Sequence, residues 1–182
     1  LGLRKQVLTM INKTSLFTLF AMLLLAIFSA PLLAKAAGDN EQASLDFVKA
    51  TAEKGLTFLS RPNSTEEEKK SEFKSLLGNS FDMDSIARFS LGQYWNTTTP
   101  TQKQEYMALF RKMVVNVYAQ RFGDYKGQKF EAKSYRAISD TDTLVSSFIH
   151  PVDGGQDIEV DWRVRYKGGK YKIVDVLVAG VS

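Results

Sequence analysis

Residues 157–178 read DIEVDWRVRYKGGKYKIVDVLV, and the fold turns on them. Through Tyr166 the pattern alternates without a fault. Ile158, Val160, Trp162, Val164 and Tyr166 fall on one side and acids or arginines on the other, the period of a strand with one wet face. Gly168-Gly169 is the two-residue turn of a hairpin, and Tyr171 to Val178 is its returning strand. A tight turn sets Tyr166 opposite Tyr171, Val164 opposite Ile173, Trp162 opposite Asp175 and Val160 opposite Leu177. Asp175 then stands in the apolar row, where a carboxylate needs a cation or several donors. The alternate residues Val174, Val176 and Val178 are apolar too, so both faces of this strand need cover.

Upstream of the hairpin, two weaker strands are expected over 129–138 and 143–150, the second ending in the turn Pro151-Val152-Asp153-Gly154-Gly155. Before them the pattern is helical. Leu45, Val48, Ala52, Leu56 and Leu59 recur at spacings of three and four, an amphipathic helix over 44–59 that closes before Arg61-Pro62. A second helix over 63–77 carries Glu66, Glu67 and Glu68 in its first turn, where acids suit the positive end of the helix. Its apolar side is only Phe73, Leu76 and Leu77, so it reads as a surface helix. A third, 81–94, lines up Met83, Ile86, Ala87 and Tyr94 with Phe89 beside them. The fourth starts at Thr99-Pro100-Thr101-Gln102, a Thr cap with proline at the first helical position and Gln three residues on. Its broad stripe of Tyr106, Phe110, Met113, Val114, Val117 and Tyr118 runs to Phe122. Four helices followed by four strands in an antiparallel meander make an α+β chain.

The first 36 residues are of another kind. They hold Arg4, Lys5, Lys13 and Lys35 and no acid, with an apolar run from Leu16 to Leu33 and the small-residue pattern Ala34-Lys35-Ala36. These are the features of an export signal, with cleavage expected after Ala36 and Met10 a candidate start. A retained membrane anchor is the alternative, but Pro31 and the small residues after it favour removal. The formal charge of +4 comes from this segment: setting its four cations aside leaves 20 of the 24 basic residues against 20 acids. A neutral domain over 37–182 has no basic footprint for nucleic acid. The chain has no cysteine, which excludes a disulfide scaffold, thiol chemistry, a thiolate metal site and anchoring through a lipidated cysteine.

Catalytic signals are missing as well. The single histidine, His150, has no second histidine or thiolate with which to hold a transition metal, so no metal is expected. No nucleophile elbow, zinc-protease motif or phosphate-binding glycine loop occurs. Asp82, Asp84, Asp157, Glu159 and Asp161 are the nearest thing to an acid–base cluster. The first two serve a helix N-terminus and the others lie on the wet face of a strand. No catalytic residue, cofactor or enzyme activity is expected.

The stretches FDMDSIARFSLGQYWNTTTPTQKQEYMALFRKMVVNVYAQRF (81–122) and VDWRVRYKGGKYKIVDVLVAGVS (160–182) resemble the MlaC, or toluene-tolerance, family of periplasmic phospholipid carriers. The matching pieces are Phe81-Asp82-Met83, Ile86-Ala87-Arg88, Leu91-Gly92 with Trp95, Thr99-Pro100 with Gln102, Phe110-Arg111, Tyr118-Ala119, Tyr171 to Val176, and Gly180-Val181-Ser182. The resemblance covers about residues 41–182. It implies N-terminal helices packed on a strongly curved four-stranded sheet, NTF2/cystatin-like in kind, that encloses an apolar cavity. It also implies a shuttle, expected to be a monomer, that holds the acyl chains of a glycerophospholipid as cargo. The implied partners are an inner-membrane ABC transporter bearing MCE domains and an outer-membrane lipoprotein associated with porin, and the implied role is upkeep of outer-membrane lipid asymmetry. An envelope adaptor without lipid, or an enzyme on a cone-like α+β fold, are the competing readings.

Side-chain direction then nominates cavity residues: Met83, Ile86, Phe89 and Tyr94 from the third helix; Phe110, Met113, Val114, Val117 and Tyr118 from the fourth; Phe148, Val160, Trp162, Val164 and Ile173 from the sheet. Arg88 is the expected partner of Asp175, with Arg111 as the alternative. The sequence departs from the family pattern twice. Ala179 stands where members carry an acid, and the C-terminal helical segment that members carry beyond Gly-Val-Ser is not expected in this domain.

Overall fold

A computed structural model describes the backbone of residues 31–182 and the side chains from Asp39 onward. Residues 1–30 of the expected signal segment fall outside the residues so described. No helix among the described residues is long and apolar enough to cross a membrane.

Four α-helices precede four strands: α1 (Pro31–Ser60), α2 (Glu66–Ser80), α3 (Met83–Leu91) and α4 (Pro100–Ala119), then β1 (Lys129–Ala137), β2 (Asp142–His150), β3 (Ile158–Lys167) and β4 (Lys170–Val178). The strands form one antiparallel sheet in the order β1-β2-β3-β4. Short connections and local pairings produce that order, because each strand meets its sequence neighbour.

Helix boundaries follow cap chemistry. Thr65 accepts from the Glu68 backbone N–H while Glu68 accepts from the Thr65 N–H, and Thr99 and Gln102 exchange the same two bonds. Asp82 caps α3 through the Ser85 N–H at 3.0 Å. The third helix does not run unbroken to Tyr94 as the periodicity suggests. It ends at Leu91, because Gly92 takes φ 58° and ψ −135°, a conformation closed to side-chain-bearing residues. Residues Gly92–Asn96 continue as a 3-10 turn. The fourth helix likewise stops at Ala119 rather than Phe122, and spans roughly 30 Å. A second short 3-10 turn, Phe122–Asp124, follows it.

The β3–β4 hairpin closes on Gly168 and Gly169 with φ of 59° and 75°, the left-handed pair that such a turn requires. Tyr166 faces Tyr171 and Val164 faces Ile173, as the alternation predicts. Beyond them the register shifts by one residue. The expected pairings of Trp162 with Asp175 and of Val160 with Leu177 are therefore replaced by Trp162 with Val176 and Val160 with Val178, and Asp175 faces Arg163. A bulge at Val174 is the cause: one extra residue exchanges the faces of everything after it.

The core has two parts. Leu45 and Val48 of α1 pack on Val145, Val164 and Ile173 of the sheet, and Leu77, Met83 and Val115 join α2, α3 and α4. Phe81 links the two, bridging to Ile173 while the Asp82 N–H donates to the Ile173 carbonyl at 2.9 Å. That bond ties the α2–α3 junction to the edge strand β4.

Candidate functional site: an apolar cavity between helices and sheet

The apolar stripe of α1 does two jobs. Its upper members, Leu45 and Val48, press on the sheet, whereas Ala52, Leu56 and Leu59 line a cavity of about 670 Å³. The opposite side of the cavity comes from the sheet: Phe130 of β1, Ile149 of β2, Ile158 and Trp162 of β3, and Val174 and Val176 of β4. The volume lies in the range of sites that take drug-sized or acyl ligands, and its lining is overwhelmingly aliphatic and aromatic. The Trp162 indole N–H is satisfied by Ser147 Oγ at 2.8 Å, and that hydroxyl donates to the Val160 carbonyl at 2.8 Å. The ring thus presents its apolar body to the cavity without an unpaired donor.

Of the residues nominated from sequence, Met83, Ile86, Phe89, Phe110, Val114, Tyr118 and Trp162 are placed together on the lining. Val160, Val164 and Ile173 share the inward-facing row but are fully packed, at 3%, 0% and 0% exposure, so they are core rather than wall. Tyr94 is carried outward by the 3-10 turn and is 65% exposed. Met113 and Val117 are not on the lining: Phe110, Val114 and Tyr118, at intervals of four, form the row of α4 that borders the cavity, and Met113 and Val117 belong to the row beside it. Tyr118 and Phe89 border the cavity while remaining 57% and 73% exposed. Phe148 lies on the other face of the sheet, since alternation sends Ser147 and Ile149 inward; the Lys133 ammonium sits 4.8 Å over its ring.

Residues that the sequence reading left aside complete the site. Phe73, Leu76 and Leu77, the sparse apolar side of the supposed surface helix α2, all face the cavity. Three apolar side chains at i, i+3 and i+4 were the available signal. Val174 and Val176 enter through the bulge, which no residue type announces.

The expected ion pair between Arg88 and Asp175 does not form. Arg88 lies 5.7 Å over the Trp95 ring, and Arg111 is taken by Asp84. Asp175 is held without a cation, accepting from the Val176 N–H at 2.9 Å and from Ser182 Oγ at 2.7 Å. The polar groups on the lining otherwise concentrate on the connection between α4 and β1, with Arg121, Asp124, Tyr125 and Gln128 followed by Lys129. Among the described residues no three potential metal ligands come together.

A model of the MlaC protein family matches residues 49–182. The intermembrane phospholipid transport system binding protein MlaC of Haemophilus influenzae is 28% identical over 95 residues, covering 50% of this chain and 44% of that protein. The match therefore spans less than half the length of that relative. A phospholipid-binding protein from Ralstonia solanacearum, solved in complex with a phospholipid, superposes with a TM-score of 0.63 at 22% identity, covering 76% of this chain and 79% of its own, and shares the fold. With the family model matching residues 49–182, most of its length, the chain belongs to the MlaC family.

Proposed function

We propose that this protein is a periplasmic phospholipid carrier. It holds the acyl chains of a glycerophospholipid in the cavity between the helices and the sheet, leaves the headgroup in water, and moves lipid between an outer-membrane lipoprotein with porin and an inner-membrane MCE-domain transporter. The observation that carries the reading is the cavity itself: about 670 Å³ of space walled by side chains from all four helices and all four strands. Membership of the MlaC family supports it.

The physics of transport explains why such a space is needed. Each buried methylene is worth about 0.8 kcal/mol, so two chains of about 30 methylenes in total cost on the order of 20 kcal/mol to expose to water. A protein that encloses the chains removes this barrier without any chemical step. Apolar walls recognise chain volume more than headgroup identity, which gives a carrier of broad acyl specificity. Delivery then follows the relative affinities of carrier and acceptor.

Native mass spectrometry of the protein purified from a bacterial envelope tests the proposal. The expected result is a mass increment of one glycerophospholipid that collisional activation releases. Recovery of folded protein that stays empty after incubation with phospholipid vesicles would overturn it and favour an adaptor role.

A further inference from the structure

Nearly all of the cavity wall is apolar, but its charged residues are unevenly placed. Arg121 and Asp124, on the connection between α4 and β1, and Lys129, the first residue of β1, lie within nine residues of one another. Asp175, the remaining charged residue on the lining, is occupied by Ser182 and its neighbouring N–H. The connection is also braced. Phe122 is held edge-on between Phe58 and Phe73, with ring centroids at 6.0 and 5.5 Å. The Gln128 amide receives the Lys126 N–H at 2.8 Å and donates to the Asp124 carbonyl at 3.2 Å. The Lys126 ammonium is spent on the Gly123 carbonyl at 2.8 Å. Arg121 and Lys129 remain to face a ligand, with Asp124 only loosely opposed to Arg121 at 4.0 Å.

We infer that Arg121 and Lys129 form the phosphate-facing rim of the cavity and select lipids that carry a phosphodiester over neutral diacyl lipids with the same tails. The inference rests on the carrier reading and deepens it. Two cations beside the single loosely held carboxylate of Asp124, with Asp175 already taken by Ser182 and a backbone N–H, give the bound lipid a polarity, with tails toward Leu56, Leu76 and Trp162 and phosphate toward the α4–β1 connection. Both side chains are exposed, Arg121 at 76%, so their contact with a phosphate is a charge-assisted hydrogen bond in a solvent-screened setting and must weaken with salt. Apolar walls alone cannot tell a phospholipid from the diacylglycerol that shares its chains.

The test incubates the whole protein with vesicles of dioleoylphosphatidylglycerol containing a minor fraction of dioleoylglycerol, re-isolates it and reads both lipids on the protein by native mass spectrometry. Wild-type protein is expected to enrich phosphatidylglycerol over the vesicle composition. The pair Arg121→Glu with Lys129→Glu should lower that enrichment about fivefold, the scale of an exposed charge contact. Arg121→Lys with Lys129→Arg should keep it. Should the reversed pair fail to fold, a salt series on wild type decides, because a cation–phosphate preference must shrink as ionic strength rises. Protein that takes up neither lipid defeats the carrier reading itself. Protein that takes up both in vesicle proportion, unmoved by the reversal or by salt, overturns the rim alone.

Discussion

Arg165 grips Asp142 at two points, Nε donating to Oδ1 and Nη2 to Oδ2, both at 2.8 Å. Arg163 Nε adds a third bond at 2.8 Å and Thr141 Oγ1 a fourth at 3.0 Å, while Asp142 itself is 2% exposed. The first residue of β2 is thereby clamped to β3 on the sheet that forms one wall of the cavity. The Arg165 bonds, with Arg163 and Thr141 behind them, hold the carboxyl at about 2 against the opposing effect of burial.

Removing the charge should loosen the sheet. Asp142→Asn removes the anionic charge that two guanidinium groups share and turns an NH2 donor toward one of them, and is expected to cost about 3 kcal/mol in urea unfolding at pH 7. The folded value lies below the ordinary 3.8, so this contribution is present above pH 3.8 and is lost as pH falls through about 2. The difference between wild type and variant should therefore close in strong acid. A constant difference from pH 7 to pH 2 would assign the loss to packing instead.

His150 should give the opposite pH dependence. Its Nδ1 meets Asp157 at 2.8 Å and its Nε2 meets Glu131 at 3.1 Å, joining β1, β2 and the segment before β3 beside the cavity residues Ile149 and Ile158. Lys129 stands opposite it in the ladder and Lys133 lies over the neighbouring Phe148. The hydrogen bonds to Asp157 and Glu131 raise the imidazole above its ordinary 6.5. Its stabilising contribution is thus complete below pH 6.5 and disappears as pH rises through the raised value. His150→Gln should lower the melting temperature relative to wild type at pH 5.5, and the two curves should converge by pH 9.

Gly92 separates backbone strain from packing. At φ 58° and ψ −135° a Cβ has no atom within 4 Å to strike, so any cost of Gly92→Ala is torsional. The expected loss is about 1–3 kcal/mol by chemical denaturation. Unchanged stability would mean that α3 and the following turn readily adopt another geometry.

Much of the architecture was legible because its signals are local. The alternation from Ile158 to Tyr166 and the paired glycines at 168 and 169 specify a hairpin by period and by backbone conformation. Thr99, Pro100 and Gln102 specify a helix start by hydrogen-bond chemistry. What escaped was set by contacts distant in sequence. The bulge at Val174 carries no glycine to mark it, yet it trades Asp175 for Val176 beside Trp162. Helix α4 is apolar over two adjacent rows, so periodicity alone could not say that Phe110, Val114 and Tyr118 border the cavity while Met113 and Val117 do not. Arg88 found the ring of Trp95 rather than a carboxylate, and Asp175 was satisfied by a backbone N–H and a hydroxyl, neither of which charge counting foresees.

Filling the cavity should separate cargo from fold. Leu56 lines it from α1, and Leu56→Trp would occupy the space of three or four methylenes, worth about 3 kcal/mol of lipid affinity or roughly a hundredfold. The helical circular dichroism and melting temperature should stay close to wild type, since the new ring enters a void. Undiminished uptake from phospholipid vesicles would place the acyl chains elsewhere.

The central claim, acyl chains against the inner face of the sheet, is open to direct observation through Trp162. The chain has two tryptophans, and Trp95 lies away from the cavity lining beneath Arg88 and Lys103, so Trp95→Phe leaves the cavity indole as the sole reporter. Loading this variant with phosphatidylglycerol brominated along its acyl chains, against the unbrominated lipid, measures contact by fluorescence quenching. The account predicts strong quenching that saturates at one lipid per protein. Fluorescence unchanged at full loading would contradict it.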